Sequence, residues 1–241
     1  GLLSTGYYLD HLSLSSFHHK NDPILADEIW MFHNAQRKLF LGGEACMWVE
    51  FASQDTIDSR LWPRAVAVAE RFWSHPSITD PTSLYERLFR ISHLLDRLPT
   101  GVNHLSLYKS RLQNLIIDKD KKESLLHPLV ILADVCEPGG FEARTQTRKY
   151  STLVPLTNFI DALQPESELV WKLENLPIDD NTFHEMFKKW SLNHIRLQVL
   201  FDGADKMSSR SLWGQDIEQL SKNLAQVGQI GLRVLNYGKN R

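Results

Sequence analysis

Gly42-Gly43-Glu44-Ala45-Cys46-Met47-Trp48-Val49-Glu50 decides how this 241-residue chain is read. Two glycines open the stretch, a short apolar run follows, and it closes on a tryptophan and a carboxylate two residues apart. Side chains alternate faces along a strand, so Trp48 and Glu50 are expected on one face. A flat aromatic beside a carboxylate suits a sugar ring: the indole covers the C–H face and the carboxylate accepts from hydroxyls. By the same parity Glu44 joins that face deeper in the strand, as a buried and paired carboxylate. Cys46 sits among apolar neighbours with no activating base nearby in sequence, and reads as a packed thiol.

The strand expected over Leu39–Trp48 has a counterpart. Leu2–Leu9 is apolar and aromatic-rich, and reads as a buried strand. It ends in Tyr7-Tyr8-Leu9-Asp10, so Tyr8 and Asp10 share a face as Trp48 and Glu50 do. Roughly thirty residues separate the two strands, the length of a βα crossover unit. Within them, His11–Lys20 is polar and Ser-rich, Asp22-Pro23 is a turn, and residues 24–36 read as a short helix or loop turn. Two neighbouring strands would each deliver an aromatic and a carboxylate at their carboxyl ends. That is the edge where α/β folds bind ligands.

Downstream the pattern is helical. Pro63 stands at a first helical turn before Arg64–Trp73, an Ala-rich segment apolar on most sides and expected to be well buried. Asp80-Pro81-Thr82-Ser83 caps a second helix with Leu84, Leu88, Ile91, Leu94 and Leu95 at helical spacing. Helical patterns recur at Leu105–Ile117, Leu153–Leu163, Asn181–Phe201 and Ser209–Val227. Leu125–Val135 is apolar, and Pro138-Gly139-Gly140 is a loop.

Composition bounds the function classes. Hydrophobic residues make up 42% and the formal net charge is −2, so nothing favours a nucleic-acid partner. Two cysteines make no disulfide framework. No apolar run is long enough for a membrane-spanning helix. The chain opens at Gly1 in a strand-like run and reads as the interior of a longer polypeptide.

Ser4-Thr5-Gly6-Tyr7-Tyr8-Leu9-Asp10-His11, the Asp22-Pro23 turn, Leu41–Glu50 and Arg60-Leu61-Trp62-Pro63-Arg64-Ala65 through Ala69-Glu70-Arg71-Phe72-Trp73-Ser74 resemble glycoside hydrolase family 20, the β-N-acetylhexosaminidases. The likeness runs in order from residue 1 to about 98. It implies an α/β fold: a C-terminal fragment of a (β/α)8 TIM barrel, strands 7 and 8 with their helices, over residues 1–104. A mainly α-helical tail follows over 105–241, similar to the C-terminal extension of some bacterial members. The resemblance also implies roles. Tyr8 would donate to the substrate's acetamido oxygen and count as catalytic, and Asp10 would lie near the outer hydroxyls. Trp48 would floor the pocket, and Glu50 would accept from the 4- and 6-hydroxyls. Catalysis in the family is substrate-assisted, an exception to the two-carboxylate rule. The acetamido oxygen attacks the anomeric carbon, an adjacent Asp-Glu pair drives the step, and the hydrogen-bonding tyrosine helps fix the attacking geometry.

That Asp-Glu pair belongs to the family's fourth strand and is expected upstream of this chain. Asp27-Glu28 lacks the preceding His and Gly residues of the motif and is assigned no catalysis. No metal or organic cofactor is implied. The expected partners are glycans ending in N-acetylglucosamine or N-acetylgalactosamine, with a homodimer left open. Family habit points to a periplasmic or secreted protein. The rival reading is a non-catalytic carbohydrate-binding or structural module derived from the same fold. His18-His19 with Asp22 matches no established metal spacing and reads as a polar loop. Arg60 and Arg64 are expected to form ion pairs that hold the last helix to the barrel. Trp171, Trp190 and Trp213 are expected to anchor helix packing.

Overall fold

The computed structural model describes residues 1–23, 33–99, 102–116, 119–147, 156, 158–201 and 211–239. Strands β1 (Leu2–Leu3) and β2 (Gly42–Gly43) are parallel, with Leu2 opposite Gly42 and Leu3 opposite Gly43. Pairing resumes at Tyr8 and Cys46. There Leu9 N–H donates to Cys46 O and Cys46 N–H to Tyr7 O, each at 2.9 Å. The two long strands expected from sequence are therefore present only in pieces. The first is interrupted by a turn at Ser4–Tyr7, closed by Tyr7 N–H to Ser4 O at 3.1 Å. Residues Leu9–His11 then wind into a 3-10 turn. Among the described residues each strand has a single neighbour, so no second ladder enforces regular geometry. Glu44, expected buried, is exposed for the same reason; it accepts from Ser4 Oγ at 2.6 Å.

By close contacts the chain divides into two units. The first comprises Gly1–Leu107, Pro138–Lys149 and Gln164–Glu166; the second comprises Tyr108–Glu137, Tyr150–Leu163 and Ser167–Arg241.

In the first unit α1 (Ser15–Lys20) and α2 (Asn34–Arg37) follow β1, and α3 (Ile57–Leu61), α4 (Arg64–Trp73) and α5 (Pro81–Arg97) follow β2. The polar loop expected at His11–Lys20 is largely α1, with His18 and His19 both buried. Its amino end is secured from far along the chain: Glu166, itself buried, accepts from Ser15 N–H at 2.8 Å and from the Ser15 hydroxyl. No local pattern could announce a cap 151 residues away. Tyr7, Leu9 and Val68 form a small core with Leu3, Met47, Leu61 and Ala65 packed on it. Gly43 is required here, because a Cβ would stand 2.6 Å from the Phe72 ring.

Helix α4 buries one side only, through Arg64, Ala67, Val68 and Arg71. Trp73 at its end is 94% exposed, so the expectation of a well-buried helix is corrected. Helix α5 starts as its sequence signals, with Asp80 accepting from Ser83 N–H at 2.8 Å. Leu84 and Leu88 are buried on its inner face.

The boundary between units falls within α6 (His104–Leu115), and α8 (Phe141–Thr147) belongs to the first unit. The second unit is helical: α7 (Lys122–Ala133), α9 (Phe159–Ala162), α10 (Glu168–Asn175), α11 (Asp180–Phe201) and α12 (Ser211–Lys239). Its core includes Leu112, Leu129, Leu132, Trp190, Leu197 and Ile217. The helix expected over residues 153–163 is described only at its end, as α9. Trp190 anchors the core as expected and Trp171 is half-buried; the Trp213 side chain lies outside the described residues. Helices α11 and α12 run closely together, since a Cβ on Gly228 would lie 2.5 Å from Ser191 N.

Candidate active site

The carboxyl ends of the two paired segments bring the four sequence-chosen residues near one another. They do so by a route that strand parity does not describe. Asp10 lies in the 3-10 turn after Tyr8, and Val49 between Trp48 and Glu50 has φ +71°, so alternation is broken in both segments. The link is a hydrogen bond instead: Trp48 N–H donates to Asp10 Oδ2 at 3.0 Å. The Glu50 carboxyl is raised above its ordinary range, chiefly by a hydrogen bond with the Asp10 carboxyl. The neighbouring Asp10 carboxyl thus favours the protonated form of Glu50.

Exposure separates their capacities. Asp10 is buried, and its Oδ1 receives no donor. Glu50 is exposed, and the Trp48 indole is 68% exposed. Tyr8 is half-buried and stacks on His11 at 5.2 Å between centroids. His11 in turn lies 5.0 Å from Phe141 of α8, and Phe141 lies 5.2 Å from Phe51. The Arg144 guanidinium sits 5.0 Å over the Phe51 ring. Neighbouring Tyr7 is fully buried: its hydroxyl donates to Asn21 O at 2.9 Å, and burial pushes it up to about 12. The adjacent tyrosines thus divide into a buried core residue and a half-buried one stacked on His11.

Buried polar groups hold this edge. Arg64 donates to the carbonyls of Ser13, Leu9 and Arg60. Burial lowers it to about 10, while Glu166 and Asp10 act in the opposite sense. Arg60 donates to Phe51 O at 3.2 Å. The guanidinium of Arg64 thus lies where loop carbonyls converge. His18 Nδ1 meets Gly6 O at 2.7 Å, and Asn21 Nδ2 donates to the same oxygen at 3.1 Å. Burial lowers His18 to about 4, so the ring is neutral at pH 7 and Nδ1 is the donor. His19 Nε2 lies 3.0 Å from Glu70 Oε1, and Arg87 Nη2 lies 2.6 Å from the same oxygen. That triad ties α1, α4 and α5 together. Among the described residues no group of His, Cys, Asp and Glu side chains could hold a metal ion. Asp27-Glu28 lies outside the described residues. Sequence reasoning missed Glu166, Phe141 and Arg144 as supports of this site, because nothing local marks them.

Residues 5–76 match the model of the glycosyl hydrolase family 20 catalytic domain. Over these residues the chain is similar to part of that catalytic domain. Among curated family relatives, β-hexosaminidase subunit beta of Felis catus is 42% identical over 90 residues, covering 36% of this chain and 16% of that protein. The Homo sapiens subunit beta is 36% identical over 110 residues, 44% of this chain and 19% of that protein. A chitooligosaccharidolytic β-N-acetylglucosaminidase of Ostrinia furnacalis is 45% identical over 62 residues, 26% of this chain and 10% of that protein. The chain thus spans less than a fifth of the length of these relatives. All three are animal proteins and lend no support to the expected bacterial kinship. No solved structure matches the chain significantly.

Proposed function

We propose that this chain supplies part of the sugar pocket of a β-N-acetylhexosaminidase. The enzyme would hydrolyse terminal β-linked N-acetylglucosamine or N-acetylgalactosamine with retention, the substrate's own acetamido group acting as nucleophile. In this reading residues 1–104 are the seventh and eighth strand–helix units of a (β/α)8 barrel, and 105–241 are a helical extension. Exposed Leu2 and Leu41 at the two-stranded sheet support further strands beside it. Tyr8 donates to the acetamido oxygen and fixes it for attack. Trp48 lies under the terminal sugar, and Asp10 and Glu50 accept from its outer hydroxyls. The Asp-Glu pair that orients the acetamido group and protonates the leaving oxygen is not among these residues, so the isolated chain is inactive.

The observation that carries this reading is the Asp10–Trp48–Glu50 cluster at the carboxyl ends of two parallel segments. A buried carboxylate oxygen without a donor, an exposed indole and an exposed carboxyl suit one sugar ring. The test uses the intact enzyme, in which these residues are joined to the Asp-Glu pair, assayed on a 4-nitrophenyl N-acetyl-β-glucosaminide. Glu50→Gln should raise KM about tenfold, one lost charge-assisted hydrogen bond's worth. Unchanged kinetics would remove Glu50 from the site. Absence of an upstream His-x-Gly-Gly-Asp-Glu segment, with sugar binding retained, would favour the non-catalytic binding module.

A further inference from the structure

The 3-10 turn that ends the first paired segment sets two rings face to face. In such a turn side chains three residues apart eclipse, whereas along a strand they would lie on opposite faces about 10 Å apart. Tyr8 caps the turn and His11 closes it. Their rings stack with centroids 5.2 Å apart and planes at 21°, and His11 N–H donates to Tyr8 O at 3.4 Å. The turn ends on Leu12 at φ +58°, a left-handed conformation that leucine rarely adopts. Sparsely populated backbone of this kind concentrates at functional sites.

The stack continues inward. Phe141 of α8 packs on the His11 ring at 5.0 Å, with planes 35° apart. Phe141 rests on Phe51 at 5.2 Å, and Phe51 lies under the Arg144 guanidinium at 5.0 Å. Phe51 and Arg144 are buried, Phe141 is half-buried and His11 is exposed. The ladder therefore runs from a fixed interior base outward to the Tyr8 phenol, each rung a contact that prefers a set geometry. Among the described residues no group bonds the Tyr8 hydroxyl, so ring packing sets where that hydroxyl points. A phenol that donates to substrate cannot also use its O–H as an anchor; only its ring can be held.

We propose that His11 is a positioning residue: its ring, packed against Phe141, holds the Tyr8 phenol in the orientation that donates to the substrate's acetamido oxygen. This rests on Tyr8 being the acetamido donor. His11 itself touches no reacting atom. It acts on turnover because a hydroxyl displaced by about an ångström loses the near-attack geometry while ground-state binding survives. Through Phe141, segment Pro138–Lys149 bears on turnover as well as on stability.

The test is a double-mutant cycle in the intact enzyme, read on a 4-nitrophenyl N-acetyl-β-glucosaminide. His11→Ala should lower kcat roughly 10- to 100-fold, with KM changed less than about twofold. His11→Phe keeps a flat ring and should restore kcat to within about threefold of the unsubstituted enzyme. In a Tyr8→Phe background His11→Ala should have no further effect on kcat. An unchanged kcat for His11→Ala overturns the proposal. So does a loss that persists undiminished in the Tyr8→Phe background, or one that His11→Phe does not repair. Should His11→Ala lower the melting temperature, His11→Leu decides: it keeps the bulk without the flat face, and full turnover in that variant overturns the proposal equally. Tyr8→Phe with full turnover is a different failure, because it removes the acetamido donor itself.

Discussion

At the scale of single residues, spacing nominates four side chains, and the backbone that carries them departs from the strands that spacing assumes. Tyr8, Asp10, Trp48 and Glu50 were chosen by strand parity, yet the 3-10 turn at Leu9–His11 and the left-handed Val49 remove the alternation on which parity depends. The two segments still meet because the Trp48 backbone N–H donates to the Asp10 carboxylate. Sequence carries residue type and spacing; it does not carry which amide turns toward which carboxylate. His18 shows the same limit in the other direction. Read as part of a polar loop, it is a fully buried neutral ring lowered to about 4 by burial. Its unfolded value lies near 6.5, so the unfolded chain binds more protons between those values and stability rises with pH there. The contribution is complete above about pH 6.5 and lost as pH falls toward 4, on the order of 3 kcal/mol in all. Thermal melts between pH 7 and 5 should show a falling midpoint. His18→Asn keeps a donor near Nδ1 and should flatten most of that slope; an unaltered slope would mean that His18 is not the buried neutral group.

At the scale of elements, helices announced by caps and periodicity were the best read. Asp80 caps α5 where its sequence says, and α11 begins within one residue of the expected start. Elements whose ends are fixed by distant partners were misread, α1 above all, since Glu166 supplies its cap. Helix α4 was misjudged for a different reason: alanines make a helix look apolar all round while burying little surface, and only its Ala67–Val68 side packs. Glycines inside a helix look like weak points on propensity alone, at about 1 kcal/mol each against Ala. Gly228 reverses that sign. A Cβ there would meet Ser191 N at 2.5 Å and Phe187 O at 2.6 Å, backbone atoms that cannot swing aside. Gly228→Ala should therefore lower stability by about 2 kcal/mol, overpacking outweighing the gain in propensity. The exposed Gln229→Ala should change it by less than about 0.5 kcal/mol. Urea titration of both variants checks this, and a stabilised Gly228→Ala would show that the helices stand further apart.

At the scale of the whole molecule, the sequence reading placed one boundary, at 104/105, whereas the contacts give units that interleave along the chain. Residues 138–149 and 164–166 come after that boundary yet belong to the first unit. What they contribute is specific. Phe141 and Arg144 pack on Phe51 and His11 beside the site. Glu166 accepts from Ser15 N–H, from Ser15 Oγ and from Tyr85 Oη at 2.5 Å. Hydrogen bonds to a charged group contribute about 1.5–3 kcal/mol each, so three of them rival the entire margin of a small domain. A polypeptide ending at residue 107 loses all of these and keeps a two-stranded sheet with open edges. It should give no cooperative thermal transition and should bind hydrophobic dyes, while the 241-residue chain melts with a defined transition. Glu166→Gln in the whole chain separates the charge from the contact: it keeps one acceptor oxygen and should lower the melting temperature while leaving a cooperative transition. A residue 1–107 polypeptide that melts as sharply, and at the same temperature, as the whole chain would show that the first unit owes nothing to these later segments.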